Sequence, residues 1–173
     1  MKIIYNIVME VIFKPIGTIH SPYTDPAGMP IQPAGCRGVQ GWIDLIPQYQ
    51  ACLKDLEGFS HIYALYHFHK IQGWSGEVIP FLDTVPRGLF STRAPRRPNP
   101  IGLSVLKLDI ISGCRLDVSN IDILDGTPLL DLKPYIPQFD MVENLKIGWL
   151  QEKVEEAQTR LSDNRFSNTQ EAK

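Results

Sequence analysis

The chain has 173 residues, 43% of them hydrophobic and 21% charged, with a formal net charge of −2. That length suits one domain with a real core, and the charge balance excludes a protein that holds nucleic acid through its overall field. No apolar run approaches the roughly 20 residues of a membrane-spanning helix. Three scattered cysteines, Cys36, Cys52 and Cys114, argue against a disulfide framework and for a reducing, cytoplasmic setting.

The opening stretch "MKIIYNIVMEVIF" is apolar, but Asn6 and Glu10 interrupt it and no small-residue cleavage site follows, so it does not read as a signal peptide. Residues 10–23 read as a strand ending in a turn, and 26–38 as loop. "VQGWIDL" (39–45) alternates, with Val39, Gly41, Ile43 and Leu45 on one face. Residues 47–58 suit a short helix, with Pro47 near its start and Gly58 as its C-cap. "HIYALYHFH" (61–69) reads as a strand, and "VIPFLD" (78–83) as a short one. "IGLSVLKLDIIS" (101–112) and "RLDVSNIDIL" (115–124) read as successive strands joined at Gly113. The Asp140/Glu143 spacing resembles a capping box. Leu150, Val154, Ala157 and Leu161 recur at helical spacing, which predicts an amphipathic helix over 149–162 and a polar tail after Ser162.

Fourteen prolines and thirteen glycines cut the chain into short pieces, and the strands are closely spaced. The expected fold is mainly β: a small closed β-barrel with a short helix and a C-terminal helix. The barrel domain is expected over 10–150, and the C-terminal helix with its polar tail over 151–173.

Three stretches bear on chemistry. "FSTRAPRRPNPIGLS" (90–104) holds three arginines and three prolines. The prolines stiffen the chain and push Arg97 and Asn99 towards extended conformations. Arg93, Arg96 and Arg97 therefore stand on a braced loop, which is either a solvated surface loop or a cradle for carboxylate or phosphate. His61, His67 and His69 occupy odd positions of one predicted strand and would share a face. A metal reading needs a completing ligand that the strand lacks, so no metal is expected. "DGTPLLDLKPY" (125–135) opens on a tight Asp125-Gly126 turn. It is a hairpin turn, or a strand end offering amides, Thr127 and a carboxylate to a ligand. Asp131, Lys133 and Tyr135 alternate beyond it. The glycine-rich nucleotide loops, the nucleophile elbow and the zinc-protease motif are all missing.

The arginine-proline stretch, followed by "ILDGTPLLDLKPY", resembles the TsaA-like family, also called the TrmO family. "PIGTIHSPY", "MPIQP" and "LEGFSHIYALYHFHK" match its N-terminal and middle segments, and the resemblance covers roughly residues 11–149. It implies an S-adenosylmethionine-dependent methyltransferase built on a β-barrel, a homodimer with cofactor pockets near the subunit interface. The implied substrate is tRNA, methylated at N6 of threonylcarbamoyl-adenosine beside the anticodon. The implied cofactor contacts fall on Pro30, Ile31 and Gln32, then His69 and Lys70, then Arg93 and Leu103, and last Leu124, Asp125, Gly126 and Thr127. Ile31 and Lys70 differ in type from bacterial members, which leaves backbone contacts there. Longer members carry a C-terminal domain for which this chain has no room. The family-like segment begins just after Met9, so residues 1–8 are expected to be dispensable.

These residue types suit the chemistry. An arginine forks the cofactor's carboxylate, and methyl transfer mainly requires two reactants aligned at short distance. Asp125, His69 and Tyr135 are the candidate bases for the accepting nitrogen. Arg93 is assigned to the cofactor, and Arg96 and Arg97 to RNA phosphates or to structure. A small-molecule methyltransferase, or a non-enzymatic S-adenosylmethionine-binding module on the same barrel, are the alternatives.

Overall fold

The computed structural model of the protein describes residues 10–166; the expectation for residues 1–8 falls outside them. Eight strands occur in chain order: β1 (Gly17–His20), β2 (Gln40–Leu45), β3 (His61–His67), β4 (Glu77–Val78), β5 (Arg87–Gly88), β6 (Ile101–Ser112), β7 (Arg115–Ser119) and β8 (Thr127–Pro134). Six of them close a barrel in the order β1-β2-β7-β6-β3-β8, with β8 pairing back onto β1 and every pair antiparallel. β4 and β5 form a separate ribbon. Closure leaves no unpaired edge in the main sheet.

The alternation in the sequence decides which side chains fill the barrel. Gly41, Ile43 and Leu45 point inward from β2, and Ile62, Ala64 and Tyr66 from β3. Leu106, Leu116, Val118 and Leu129 complete the filling from β6, β7 and β8. The rungs match these faces: Ile19 lies opposite Ile43, Ala64 opposite Ser104 and Tyr66 opposite Gly102. Register shifts at Leu65/Tyr66 and Leu108/Ile110 bend the long strands, as a small barrel requires.

Several sequence expectations contract. The strand expected over 10–23 pairs only over Gly17–His20, and that over 78–83 only over Glu77–Val78. The strand expected over 115–124 ends at Ser119, because Asn120 takes a left-handed φ of 64°. Its side-chain oxygen accepts from the Gly38 amide (2.9 Å), and the chain then drops Ile121 and Ile123 into the core. Residues 47–58 form two 3₁₀ segments, Pro47–Leu53 and Leu56–Gly58, not one α-helix. Asp140 does not start a helix. It closes the single turn α1 (Pro137–Asp140) by accepting from the Ile136 amide at 2.8 Å.

The C-terminal α-helix expected over 149–162 is not formed. Gly148 sits at φ +57°, and 3₁₀ turns follow at Gly148–Leu150 and Val154–Gln158. Tertiary hydrogen bonds override the helical periodicity. Ser162 N donates to Met29 O (2.7 Å), Gly28 N donates to Ser162 O (3.0 Å), and Leu161 bridges to Pro30. Ala157 and Phe166 are buried. An ion triad fixes the same segment: buried Asp83 accepts from Lys153 Nζ (2.8 Å) and from Arg87 Nε and Nη2 (2.9 and 2.7 Å). Residues 149–166 are thus packed on the barrel and form one wall of its cavity.

Candidate active site

One end of the barrel opens into a cavity of about 830 Å³, within the usual range for a small-molecule site. The barrel strands supply Tyr66, Gly102, Ser104 and Thr127 to it, and the connecting loops and the C-terminal segment supply the rest. Phe68, Phe81 and Leu124 make much of its wall apolar.

The residues singled out in the sequence converge here from distant positions. Pro30, Ile31 and Gln32 line the cavity on one side, and His69, Lys70 and Arg93 join them. Leu103, Leu124 and Thr127 complete that set. Arg93 Nη1 donates to Gln32 Oε1 (3.3 Å), so the guanidinium is held across the cavity by a residue of the same set. His69 follows β3 in a tight turn. Thr127 spends its hydroxyl proton on Leu124 O (2.6 Å), so its oxygen accepts from His69 Nδ1 (3.4 Å). That assignment leaves Nε2 as an acceptor. Burial, with Lys70 and His67 nearby, lowers the His69 pKa, so the ring is neutral at pH 7.

Asp125 and Gly126 do not line the cavity. Gly126 takes the left-handed φ of 74° that the turn demands. Asp125 accepts from the Ser21 amide (3.2 Å) and meets His20 Nδ1 at 3.1 Å. Tyr135 lies past the far end of β8, about 25 Å along the chain from Thr127 at strand rise. Its ring packs edge-on to Tyr63 at 5.4 Å.

The arginine-rich loop braces itself. Arg97 Nη1 donates to Thr92 O (3.0 Å) and Ala94 O (3.4 Å), and its guanidinium lies 5.6 Å from the centre of the Phe90 ring. Arg96 Nε donates to Phe166 O (3.4 Å), tying the loop to the C-terminal segment. Both arginines assigned to RNA phosphates or to structure therefore brace the loop, and Arg97 lines the cavity together with Arg93. The histidine face is likewise only partly as expected. His61 and His67 share the outer face of β3, and His69 turns away into the cavity. Among the described residues, no three His, Cys, Asp or Glu side chains gather as a metal site would need.

Sequence reasoning missed the polar group at the cavity wall. Asp122 lies between the fully buried Ile121 and Ile123. Its Oδ1 accepts from Ser104 Oγ (2.7 Å), and Ser104 Oγ in turn accepts from the Tyr66 hydroxyl (3.1 Å). Burial raises the Asp122 pKa to about 6, against the opposing pull of the Ser104 hydrogen bond and Arg93. Burial also raises Tyr66 well above its ordinary value. A carboxylate between two isoleucines of "NIDIL" was the available signal.

A closed barrel whose end holds an arginine, a neutral histidine and a half-buried carboxylate around an apolar cavity defines a small-molecule-binding β-barrel. Residues 18–141 match the family model described as the tRNA-methyltransferase O N-terminal domain, and the chain belongs to that family. It is 45% identical over 158 residues to a probable S-adenosyl-L-methionine-binding protein of Pyrococcus abyssi, covering 91% of this chain and 86% of that one. It is 34% identical over 149 residues to the tRNA (adenine(37)-N6)-methyltransferase of Escherichia coli, covering 80% of this chain and 63% of the relative. The crystal structure of TrmO from Pseudomonas aeruginosa superposes with a TM-score of 0.69 at 36% identity, over 82% of this chain and 63% of that one.

Proposed function

We propose that this protein is an S-adenosylmethionine-dependent tRNA methyltransferase, acting on N6 of threonylcarbamoyl-adenosine beside the anticodon. The observation that carries the reading is the convergence, in one 830 Å³ cavity, of loop and strand residues spread from Pro30 to Thr127. The names borne by its relatives in Pyrococcus abyssi and Escherichia coli support the cofactor and the substrate class respectively.

The donor set suits the cofactor. Arg93, steadied by Gln32, would take its carboxylate through paired N–H donors. The apolar walls at Phe68, Phe81 and Leu124 would cover the adenine, and the backbone around Leu124 would read its edge. When bound, S-adenosylmethionine supplies an electrophilic methyl group on sulfonium. The chain's own work is to align the acceptor and to exclude water. Asp125 and Gly126 would act through the turn that aims Leu124 and Thr127. The tRNA phosphates would meet Arg96 and Arg97 on the cavity-lining loop.

We further propose a homodimer in the cytoplasm. The apolar side chains of Phe90, Ile101 and Leu103, exposed beside the cavity, support the former. Free Cys36, Cys52 and Cys114 support the latter. Labelled S-adenosylmethionine with tRNA carrying threonylcarbamoyl-adenosine tests the function. Methyl transfer to that tRNA, and none to tRNA lacking the modification, is the expected result. Tight cofactor binding without transfer to any tRNA would favour the small-molecule alternative.

A further inference from the structure

We propose that Asp122 is the proton acceptor for the methyl-accepting nitrogen, positioned by Ser104 and Tyr66. The inference rests on the methyltransferase reading above. The step is balanced by a single proton. As the N6–methyl bond forms, the carbon–sulfur bond breaks with its electron pair left on sulfur as a neutral thioether. The N6 proton passes to the Asp122 carboxylate, which returns it to solvent after product leaves. An N6 already acylated by a carbamoyl group is a poor nucleophile, so removal of its proton is where a base contributes most.

Geometry narrows the candidate bases to two. Asp125 is engaged with His20 and Ser21 outside the cavity, and Tyr135 stands near the opposite end of β8. His69 and Asp122 remain on the cavity wall. Burial moves these two in opposite directions. It weakens His69 as a base, with Lys70 adding to the effect. It strengthens Asp122, whose charged form is the one that burial disfavours. The Ser104 hydroxyl fixes the carboxyl's orientation, since its own acceptor site is filled by Tyr66. Gly102 makes this arrangement possible, because the Tyr66 ring occupies the space where a Cβ at 102 would stand.

The groups that face Asp122 from the neighbouring elements are Ser104 on β6, Tyr66 on β3 behind it, Arg93 on the braced loop, and Tyr23 and Cys36 from the N-terminal loops. Tyr23 is pushed up to about 12 and Cys36 to about 11, both first by burial. Neither titrates near pH 6, and His69, on the same wall with its pKa lowered by burial, is told apart from Asp122 by following the aspartate carboxyl itself.

The test compares the parent with Asp122→Asn and Ser104→Ala, using the full chain. In the cofactor-free parent, ¹³C NMR of labelled aspartate is expected to show one carboxyl titrating near pH 6, and that signal to be lost in Asp122→Asn. The parent's kcat/KM is expected to rise with pH up to that value. Asp122→Asn should lower kcat by roughly 10²–10⁴-fold and leave the S-adenosylmethionine Kd within about three-fold. Ser104→Ala removes the hydrogen bond that holds the Asp122 pKa down, so both the NMR titration and the acid limb should move to higher pH. A structural role would not move them together. Parallel loss of affinity with kcat preserved at saturation would make Asp122 a cofactor contact and overturn the proposal. So would an unchanged rate in Asp122→Asn, or an acid limb that does not move in Ser104→Ala. A parent that binds S-adenosylmethionine but methylates no tRNA would overturn the substrate reading instead, and the NMR result would then stand alone.

Discussion

Gly102→Ala tests whether the cavity wall depends on the Tyr66 ring being seated against β6. A Cβ at 102 would fall 2.2 Å from Tyr66 Cε2 and 2.4 Å from Cζ, far inside van der Waals contact. The ring has little room to yield. Tyr66 is 5% exposed, its hydroxyl is bonded to Ser104 at 3.1 Å, and Phe68 packs edge-on at 5.3 Å. Overpacking of this kind costs about 1–3 kcal/mol, and breaking the buried Tyr66–Ser104 bond adds about 1 kcal/mol. For a chain of this size, about 2–4 kcal/mol lowers Tm by roughly 5–15 °C. Thermal melts by circular dichroism read the effect directly. Adding Tyr66→Leu removes the clashing ring, so the double variant should lose less stability than the two single losses added together. The coupling should be at least about 1 kcal/mol, as expected for side chains in contact. A Gly102→Ala protein melting within a degree of the parent would refute the packing argument, as would strict additivity in the double variant.

Arg93→Ala should weaken S-adenosylmethionine binding by roughly 10–100-fold with Tm almost unchanged, since a charge-assisted contact is worth about 1.5–3 kcal/mol; calorimetry with a matched melt checks both halves. Arg97→Ala should instead speed hydrogen exchange of the 90–97 amides, because its guanidinium holds Thr92 O and Ala94 O; unchanged exchange would return Arg97 to a purely RNA-facing role. The cations beside Asp83 hold its carboxyl well below the usual carboxylate range. Its contribution is therefore complete above the unfolded carboxylate value and is lost as pH falls through the folded one. Asp83→Asn should melt below the parent at pH 7, with the gap closing below about pH 4. Leu106→Ala, at a fully buried barrel position, should cost about 2–5 kcal/mol by denaturant titration.

What the sequence disclosed follows the range of the forces involved. β2 was legible because a period of two over six residues is a local signal, and the barrel honours it side chain by side chain. The 149–162 segment carries an equally clear helical period. It still forms 3₁₀ turns, because Ser162 and Leu161 are claimed by Met29 and Pro30, more than 130 positions away in the chain. No local pattern announces such partners. Arg97 is a similar case. Its charge suggested an external partner, but its hydrogen bonds run to carbonyls of its own loop.

The cavity was legible in a different way. Resemblance selected residues by motif, so it found the loop and turn positions that carry distinctive words, such as Gln32, Arg93 and Thr127. It passed over Tyr66, Ser104 and Asp122, which are separated by 38 and 18 positions and look, one at a time, like an aromatic in a strand, a serine in a strand and an aspartate near a turn. Only the rung that sets Gly102 opposite Tyr66, two residues before Ser104, brings the first two together. The Asn120 turn then brings Asp122 to the same wall. A carboxylate in that position loses solvation and gains only neutral hydrogen-bond donors close by, so its charge is left to be settled by what enters the cavity. On the proposed reading the motif residues hold the ligand, and this group, invisible to motifs, is the one whose proton changes hands.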